Sequence, residues 1–332
     1  MRVLVTGGSG QLGSEVARAL VARGDAVRCL LRDPSRARLL DGIEVQRLPG
    51  DVTAPESLKR AVAGCDAVLH LAGVVSYSPG SRALQQAVNV GGTRNLLDAA
   101  AAAGVGRFVL TSSIAAIGYV DGPGEGDEDT PDNWGPFGLG YMDTKRESEA
   151  LVLSDRRVEG VAVNPGIVFG ARDLHQNGGR MLLQVAAGGP PAVPPGATTC
   201  ATLRDVGAGH LLALDRGRPG RRYVLGGTTG TFAEIFARVA AVMGRPAPSR
   251  VAPRAALVAF GALQELKARF TGGEPPLTRS LARVTCKNRR YRSDRAITEL
   301  GYAPSPLEEG IRACRDWYRA EGLLDATSGP PA

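Results

Sequence analysis

The chain has 332 residues, 43% hydrophobic and 22% charged, an ordinary globular composition that excludes wholesale disorder. Its formal charge is +7, yet only four of its forty basic residues are lysines, and the basic side chains are scattered apart from Lys287, Arg289, Arg290, Arg292 and Arg295. With Tyr291 as the one interleaved aromatic, this is not the stripe a nucleic-acid surface needs, and none is expected.

Taken in order, the apolar segments Arg2–Thr6, Ala26–Leu31, Glu44–Leu48, Ala67–Leu71, Arg107–Thr111 and Gly160–Asn164 read as strands. Helical patterns lie between them at about 11–23, 55–63, 83–103 and 141–153. Near-continuous apolar strands alternating with helices predict an α/β fold, a Rossmann doubly wound parallel sheet that binds ligands beyond its carboxyl ends. Pro and Gly mark 188–196 and 244–254 as loops, Arg222–Leu225 reads as a strand, and Phe232–Met243, Ala255–Phe270 and Leu307–Tyr318 read as helices. Residues 1–165 are therefore expected to form the dinucleotide-binding domain, with a further strand from about 200–226. Residues 166–199 and 227–322 form a smaller C-terminal substrate-binding region, and 323–332 a tail that frays from Asp325 onward.

The apolar segment Val251–Phe270 reads first as a core or dimer helix. A lipophilic substrate mouth or a peripheral membrane contact stays open beside that reading, as does a homodimer. No apolar run reaches the ~20 residues of a membrane-spanning helix, and the chain enters Val3-Leu4-Val5 directly, so neither a span nor a signal peptide is expected. The five cysteines lack any CxxC pair, which predicts a reducing, cytoplasmic compartment. The three histidines lack a metal-binding spacing, so no metal is expected.

The first strand runs into Thr6-Gly7-Gly8-Ser9-Gly10-Gln11-Leu12-Gly13, followed by helix formers. Gly7 permits the turn, Gly10 lets backbone approach a pyrophosphate, and Gly13 lets helix and strand pack closely, while the helix N-terminus supplies N–H donors. The second strand ends Leu30-Leu31-Arg32-Asp33. Leu31 stands where an acid would hold a ribose 2′-hydroxyl, so Arg32 favours NADP; Asp33, twenty residues after Gly13, keeps NAD open.

Tyr141 and Lys145 are four apart, on one face of a helix. A free tyrosine has a pKa of ~10, and an ammonium beside it favours the phenolate, so Tyr141 can exchange a proton with a substrate oxygen while hydride moves to or from a nicotinamide. Thr111-Ser112-Ser113 ends the fifth strand, where a hydroxyl can hold the same oxygen.

On these residues the chain resembles the extended short-chain dehydrogenase/reductase family, also called the NAD-dependent epimerase/dehydratase family. The resemblance covers roughly 1–320 and includes Gly50-Asp51-Val52, His70-Leu71-Ala72-Gly73, Val88-Asn89-Val90-x-Gly92-Thr93 and Asn164-Pro165-Gly166. It assigns the catalytic serine to Ser113, beside Tyr141 and Lys145, and makes Asn89 part of the proton relay or of its water structure. It implies cofactor contacts from Gly7, Gly10, Gln11, Leu12, Gly13, Arg32, Asp51, Val52, Leu71, Ala72, Gly73, Asn89, Lys145, Pro165, Gly166 and Val168. Helix capping by Asn89, satisfaction of backbone groups by Ser112 and packing by His70 stay open.

The closest branch is that of dihydroflavonol reductases, 3β-hydroxysteroid dehydrogenases and hopanoid-associated sugar epimerases. Similar pieces are Val27–Pro34, Ala208–Leu214, Tyr223–Gly227 and Glu299–Tyr302. Two departures touch expected substrate contacts: Thr202-Leu203-Arg204-Asp205-Val206 replaces a His-x-Asp-Asp-Val segment, and the acidic, Gly-rich loop Asp121–Gly138 resembles nothing known. Ile114-Ala115-Ala116 after Ser113 cannot move protons, which argues against a dehydratase. The expected activity is hydride transfer at a carbonyl or secondary alcohol of a hydrophobic, sterol- or isoprenoid-like small molecule. A nucleotide-sugar epimerase and a non-catalytic dinucleotide-sensing module are the alternatives.

Overall fold

The structure is a computed structural model that describes residues 1–271, 275 and 277–324; the tail from Asp325, expected to fray, lies outside them. Val3, Leu4 and Val5 are each fully buried because β1 (Arg2–Thr6) is covered on both faces, as a strand in the middle of a doubly wound sheet must be. Around it stand α1 (Gln11–Ala22), β2 (Ala26–Leu31), β3 (Gln46–Pro49), α2 (Pro55–Val62) and β4 (Ala67–His70). The helix expected at 83–103 is α3 (Arg82–Gln85), which passes through a π-helical turn, Gln86–Gly91, into α4 (Gly92–Ala102). Then come β5 (Arg107–Thr111), α5 (Gly140–Ser154) and β6 (Glu159–Pro165).

The chain next builds β7 (Ile167–Phe169), α6 (Arg180–Ala186) and β8 (Ala197–Thr202). It continues through α7 (Leu203–Arg216), β9 (Arg222–Leu225), β10 (Thr228–Thr231), α8 (Phe232–Met243), α9 (Arg254–Thr271), α10 (Arg279–Thr285) and α11 (Leu307–Ala320).

Seven strands form a parallel sheet in the order β3-β2-β1-β4-β5-β6-β9. Alternation along β1 divides the core. Val3 and Val5 pack with Val16 and Leu20 of α1 and Val206 and Leu214 of α7. Leu4 faces Leu58 of α2, Leu96 of α4 and Val152 of α5. Register sets Thr6 opposite Leu30 and His70, and Thr111 opposite Val163, so the carboxyl ends of the central strands finish along one edge. That edge is where such a sheet presents residues to a ligand.

A second sheet, β10-β8-β7, lies beside the first and packs on α8 and α11 through Phe169, Cys200, Phe236, Ile311 and Tyr318. The range 200–226 does supply one strand to the large sheet, β9, but Ala197–Thr202 belongs to the small one and 203–216 is helical. The expected apolar helix at 255–270 forms as α9, but not as a core helix. Gly261 is its one buried residue, and Phe260, Leu263, Leu266 and Phe270 are exposed. Among the described residues no helix is long and apolar enough to cross a membrane.

Two buried histidines hold these layers in their neutral form. His210 donates from Nδ1 to the Val206 carbonyl at 2.7 Å and accepts at Nε2 from the Thr111 hydroxyl at 2.8 Å. Burial lowers its pKa to about 4, against the hydrogen bond to Val206. His70 lies between Thr6 Oγ1 at 2.7 Å and Thr93 Oγ1 at 3.1 Å, and burial, then the charge of Lys145, lower it to about 3. Both pKa values fall below the unfolded value, so the unfolded chain takes up the protons first as pH drops. Stability is full above pH ~6.5 and is lost toward pH ~4, by up to about 1.4 kcal/mol per pH unit for each histidine. Denaturant titrations from pH 7 to pH 4 should show that slope, and His210→Gln should reduce it; a pH-independent midpoint would refute it.

Candidate active site

The glycine turn closes against the loop after β4. Gly7 has a φ of +72°, and a Cβ there would stand 2.7 Å from the Ala72 nitrogen. A Cβ at Gly13 would lie 2.1 Å from the Gly7 carbonyl oxygen, so α1 begins closer to β1 than any side chain permits. At Gly10, by contrast, a Cβ would meet only the Gly7 carbonyl oxygen, at 3.4 Å. Gly10 caps α1 without a side-chain hydrogen bond, and no acid occupies the first turn, so the helix presents open N–H donors from Gln11 and Leu12. The Gln11 amide itself reaches away and donates to the carbonyls of Gly170 and Ala171 at 3.1 and 3.0 Å.

Leu71, Ala72 and Gly73 continue the same wall. The Leu71 and Ala72 N–H groups donate to the Thr6 carbonyl and Thr6 Oγ1. A Cβ at Gly73 would sit 3.2 Å from Asn89 Oδ1 and 3.4 Å from Lys145 Nζ, so the backbone here runs directly beside the amine. Asn89 lies in the π-helical turn and is buried. Its Oδ1 accepts from the Val74 N–H at 2.7 Å, and its Nδ2 donates to Thr144 Oγ1 at 3.1 Å, pinning this wall to α5. The side chain caps no helix.

Tyr141 and Lys145 project from the first turns of α5 and are 7% and 5% exposed. Lys145 Nζ donates to the Thr111 carbonyl at 2.8 Å, and burial lowers its pKa to about 8 against the opposing charge of Glu149. Ser113 Oγ accepts from the Ala115 N–H at 3.1 Å and lies close enough to Tyr141 to favour its ionised form. Ser112 is buried, and its Oγ has no partner.

The phenol differs from the sequence expectation. Burial, and then Tyr77, raise the Tyr141 pKa above the ordinary tyrosine value, against the influence of Ser113 and the charge of Arg289. The ammonium of Lys145 serves Thr111 and not the phenol, so the protein alone holds Tyr141 protonated.

Arg32, Asp51 and Val52 gather at the ends of β2 and β3, where the Gly50 N–H donates to the Leu31 carbonyl. Arg32 is exposed, and among the described residues its guanidinium meets neither an acceptor nor a carboxylate. Asp33 is committed: it accepts from the Ser35 N–H and hydroxyl at 3.0 and 2.6 Å and pairs with Arg36. Asp51 accepts from the Thr53 N–H at 2.8 Å, and Val52 is buried under Gly92. Pro165 ends β6 and Gly166 follows it, packed on the Thr199 carbonyl, and Val168 lies one strand further, opposite Ala201.

Sequence reasoning missed several neighbours. Glu149, one turn beyond Lys145, is buried, pairs with Arg222 at 2.8 Å and accepts from Asn164 Nδ2 at 2.7 Å. Asn164 Nδ2 also donates to the Ser113 carbonyl at 2.9 Å, so this network holds the serine's backbone. The helical spacing from Lys145 could have flagged Glu149; nothing local could have flagged Arg222.

The aromatic residues come together as a wall. Tyr77 meets the Tyr141 ring edge-on at 5.5 Å, and Tyr119, Trp134 and Phe137 stack among themselves within one cluster with Tyr141, Met142 and Val284. The acidic loop is anchored rather than loose. Asp127 and Asp129 pair with Arg292 and Arg295, and Glu128 accepts from the Val224 N–H at 2.7 Å. Thus part of the basic cluster faces carboxylates of this chain.

Residues 3–226 match the model of the NAD dependent epimerase/dehydratase family. The chain belongs to that family. It is an enzyme by this kinship, with oxidoreductases among its relatives. It is 34% identical to sterol demethylase protein B of Methylococcus capsulatus, across 98% of this chain and 100% of that one. It is 31% identical to 2-alkyl-3-oxoalkanoate reductase of Stenotrophomonas maltophilia, across 94% and 98%. Among solved structures, gox2253 superposes with a TM-score of 0.85 at 33% identity, covering 97% of this chain and 99% of that one.

Glu149 generates a test of this network. Its charge raises the Lys145 pKa, so Glu149→Gln should lower it further and move the alkaline fall of kcat/KM to lower pH. A pH–rate profile that does not move would remove Glu149 from the site's electrostatics.

Proposed function

We propose that this enzyme reduces the carbonyl of a hydrophobic substrate, or oxidises the corresponding secondary alcohol, with Tyr141 as proton donor and acceptor, Ser113 as its partner on the substrate oxygen and Lys145 as the amine behind them. The observation that carries this reading is the buried pair Tyr141 and Lys145 on one face of α5, with the Lys145 amine held on the Thr111 carbonyl at 2.8 Å, two residues before Ser113 at the carboxyl end of β5. The chemistry that a nicotinamide dinucleotide supplies when bound is the gain or loss of hydride.

The residues fit such a group. Gly10 leaves open space where a side chain would stand, and the uncapped start of α1 offers N–H donors to a pyrophosphate. Leu71–Gly73, Asn89, Pro165, Gly166 and Val168 would border the remainder, with Asp51 and Val52 toward the adenine. Tyr141 then holds its proton at Oη, because burial disfavours the phenolate, which suits donation to a carbonyl oxygen. Lys145, near pH 8, is matched to replace that proton. Ser113 directs the substrate oxygen toward Oη. The aromatic wall excludes water and favours an apolar body, in line with relatives named for a sterol and for an alkyl oxo acid.

Replacing Tyr141 by Phe should lower turnover by about 10²–10⁴-fold while leaving dinucleotide binding intact. Carbonyl reduction followed at 340 nm, with cofactor binding by fluorescence, checks both; turnover within a few-fold of wild type would overturn the assignment.

The finer cofactor choice is NADP. A free guanidinium at Arg32, a buried Leu31 at the strand end and an Asp33 occupied by its own turn all support a 2′-phosphate over a 2′-hydroxyl. Arg32→Ala should weaken NADPH by about tenfold, equivalent to about 1.4 kcal/mol, and leave NADH unchanged. Tighter wild-type binding of NADH would reverse the choice.

A further inference from the structure

Arg289 is 6% exposed, yet among the described residues its guanidinium has no partner. Its Nε is fully buried without an acceptor, and among the described residues no carboxylate, carbonyl or hydroxyl takes a hydrogen bond from its Nη groups. Those Nη groups are absent from the fully buried unpartnered atoms, so they hold what exposure the residue keeps. Arginine cannot shed its proton to relieve this, and a charge so largely enclosed is costly to leave without a counter-charge at its open end. The other cations of the segment differ. Arg292 and Arg295 meet acids, Arg290 donates to the Pro123 carbonyl, and Lys287 lies 3.8 Å above the Tyr119 ring.

The backbone sets where this charge stands. The Arg289 N–H donates to the Ala197 carbonyl at 3.0 Å, and Ala197 bridges Asn288 in parallel register, which brings Arg289 alongside Thr198. Thr198 is fully buried, and its hydroxyl is likewise without a partner. Two orphaned polar residues therefore share a register position on β8 and the strand-like segment next to it. The segment runs to the site already described: the Tyr291 hydroxyl, two residues on, donates to the Gly118 carbonyl at 2.6 Å in the stretch that follows Ser113, and the Arg289 charge is among the influences that favour ionisation of Tyr141.

We propose that Arg289 receives a carboxylate carried by the substrate, so that the enzyme acts on an oxo or hydroxy acid with an apolar tail. This rests on the reading of Tyr141 as the reacting site and narrows its substrate class. A single unpaired cation matches one negative charge, and the planar fork of a guanidinium suits a carboxylate through two parallel hydrogen bonds. Binding then satisfies donors that the fold leaves open, which is the condition for strong discrimination against an analogue lacking the charge.

The test measures binding, not turnover. Decanoate, methyl decanoate and decyl phosphate are titrated into the wild-type protein with its dinucleotide present, by calorimetry or by melting-temperature shift. Decanoate should bind at least about tenfold more tightly than its methyl ester. Arg289→Gln should erase that difference, and Arg289→Lys should retain part of it. Equal binding of acid and ester, no binding of decanoate, preference for decyl phosphate, or selectivity that survives in Arg289→Gln would each overturn the proposal. Should Arg289→Gln fail to fold, the wild-type comparison decides by itself. Loss of the Tyr141 assignment would show in turnover of Tyr141→Phe and would leave these affinities untouched.

Discussion

Lys145 carries its amine into a place that water scarcely reaches, and the backbone carbonyl of Thr111 is what receives it there. That one contact joins α5 to the end of β5. It fixes Tyr141 a turn earlier on the helix and brings it within reach of Ser113, two residues past Thr111. On the far side, Glu149, Asn164 and Arg222 hold the same junction through buried charge and amide. Were the amine drawn out to solvent, helix and strand would lose their common anchor, and the hydroxyls would have no fixed separation.

Polar groups elsewhere are spent on joining distant stretches of chain. Asn89 ties the wall after β4 to α5, Gln11 ties α1 to the segment after β7, and carboxylates of the loop 121–138 tie it to residues 292–295. The apolar aromatics are concentrated instead around Tyr141. Charge thus assembles the frame, and ring surface lines the space it encloses. Arg289 stands out because it does neither.

The first half was legible because fully buried parallel strands leave apolar runs that no loop imitates, and because Gly7, Gly10 and Gly13 mark the turn between β1 and α1. The small sheet was not. Ala197–Thr202 reads as polar, yet every residue in it is buried, and Thr199 spends its hydroxyl on the backbone of Tyr291. Thr228–Thr231 holds no apolar residue and pairs by backbone alone. The apolar run in α9 did form its helix, which packs on α10 at Gly261 and leaves Phe260, Leu263, Leu266 and Phe270 exposed, so an apolar run alone did not tell a covered face from an open one. That Tyr141 and Lys145 share one face of α5 was visible from their spacing, whereas the electrostatics around them were not. Which partner the lysine chooses, and how deeply the phenol is buried, are properties of packing that four-residue spacing does not contain.

The chain passes between the two sheets three times: at Gly166, through α7 back to β9, and again at Gly226–Gly227. Both glycine crossings press on one residue, since a Cβ at Gly166 would lie 2.3 Å from the Thr199 carbonyl oxygen and one at Gly226 would lie 2.4 Å from its Cγ2. A cleft sewn along several seams has no single hinge about which its halves can swing. Molecules entering it are sorted by a shape that already exists, so bulk and curvature, more than any clamping motion, set the limit on what fits.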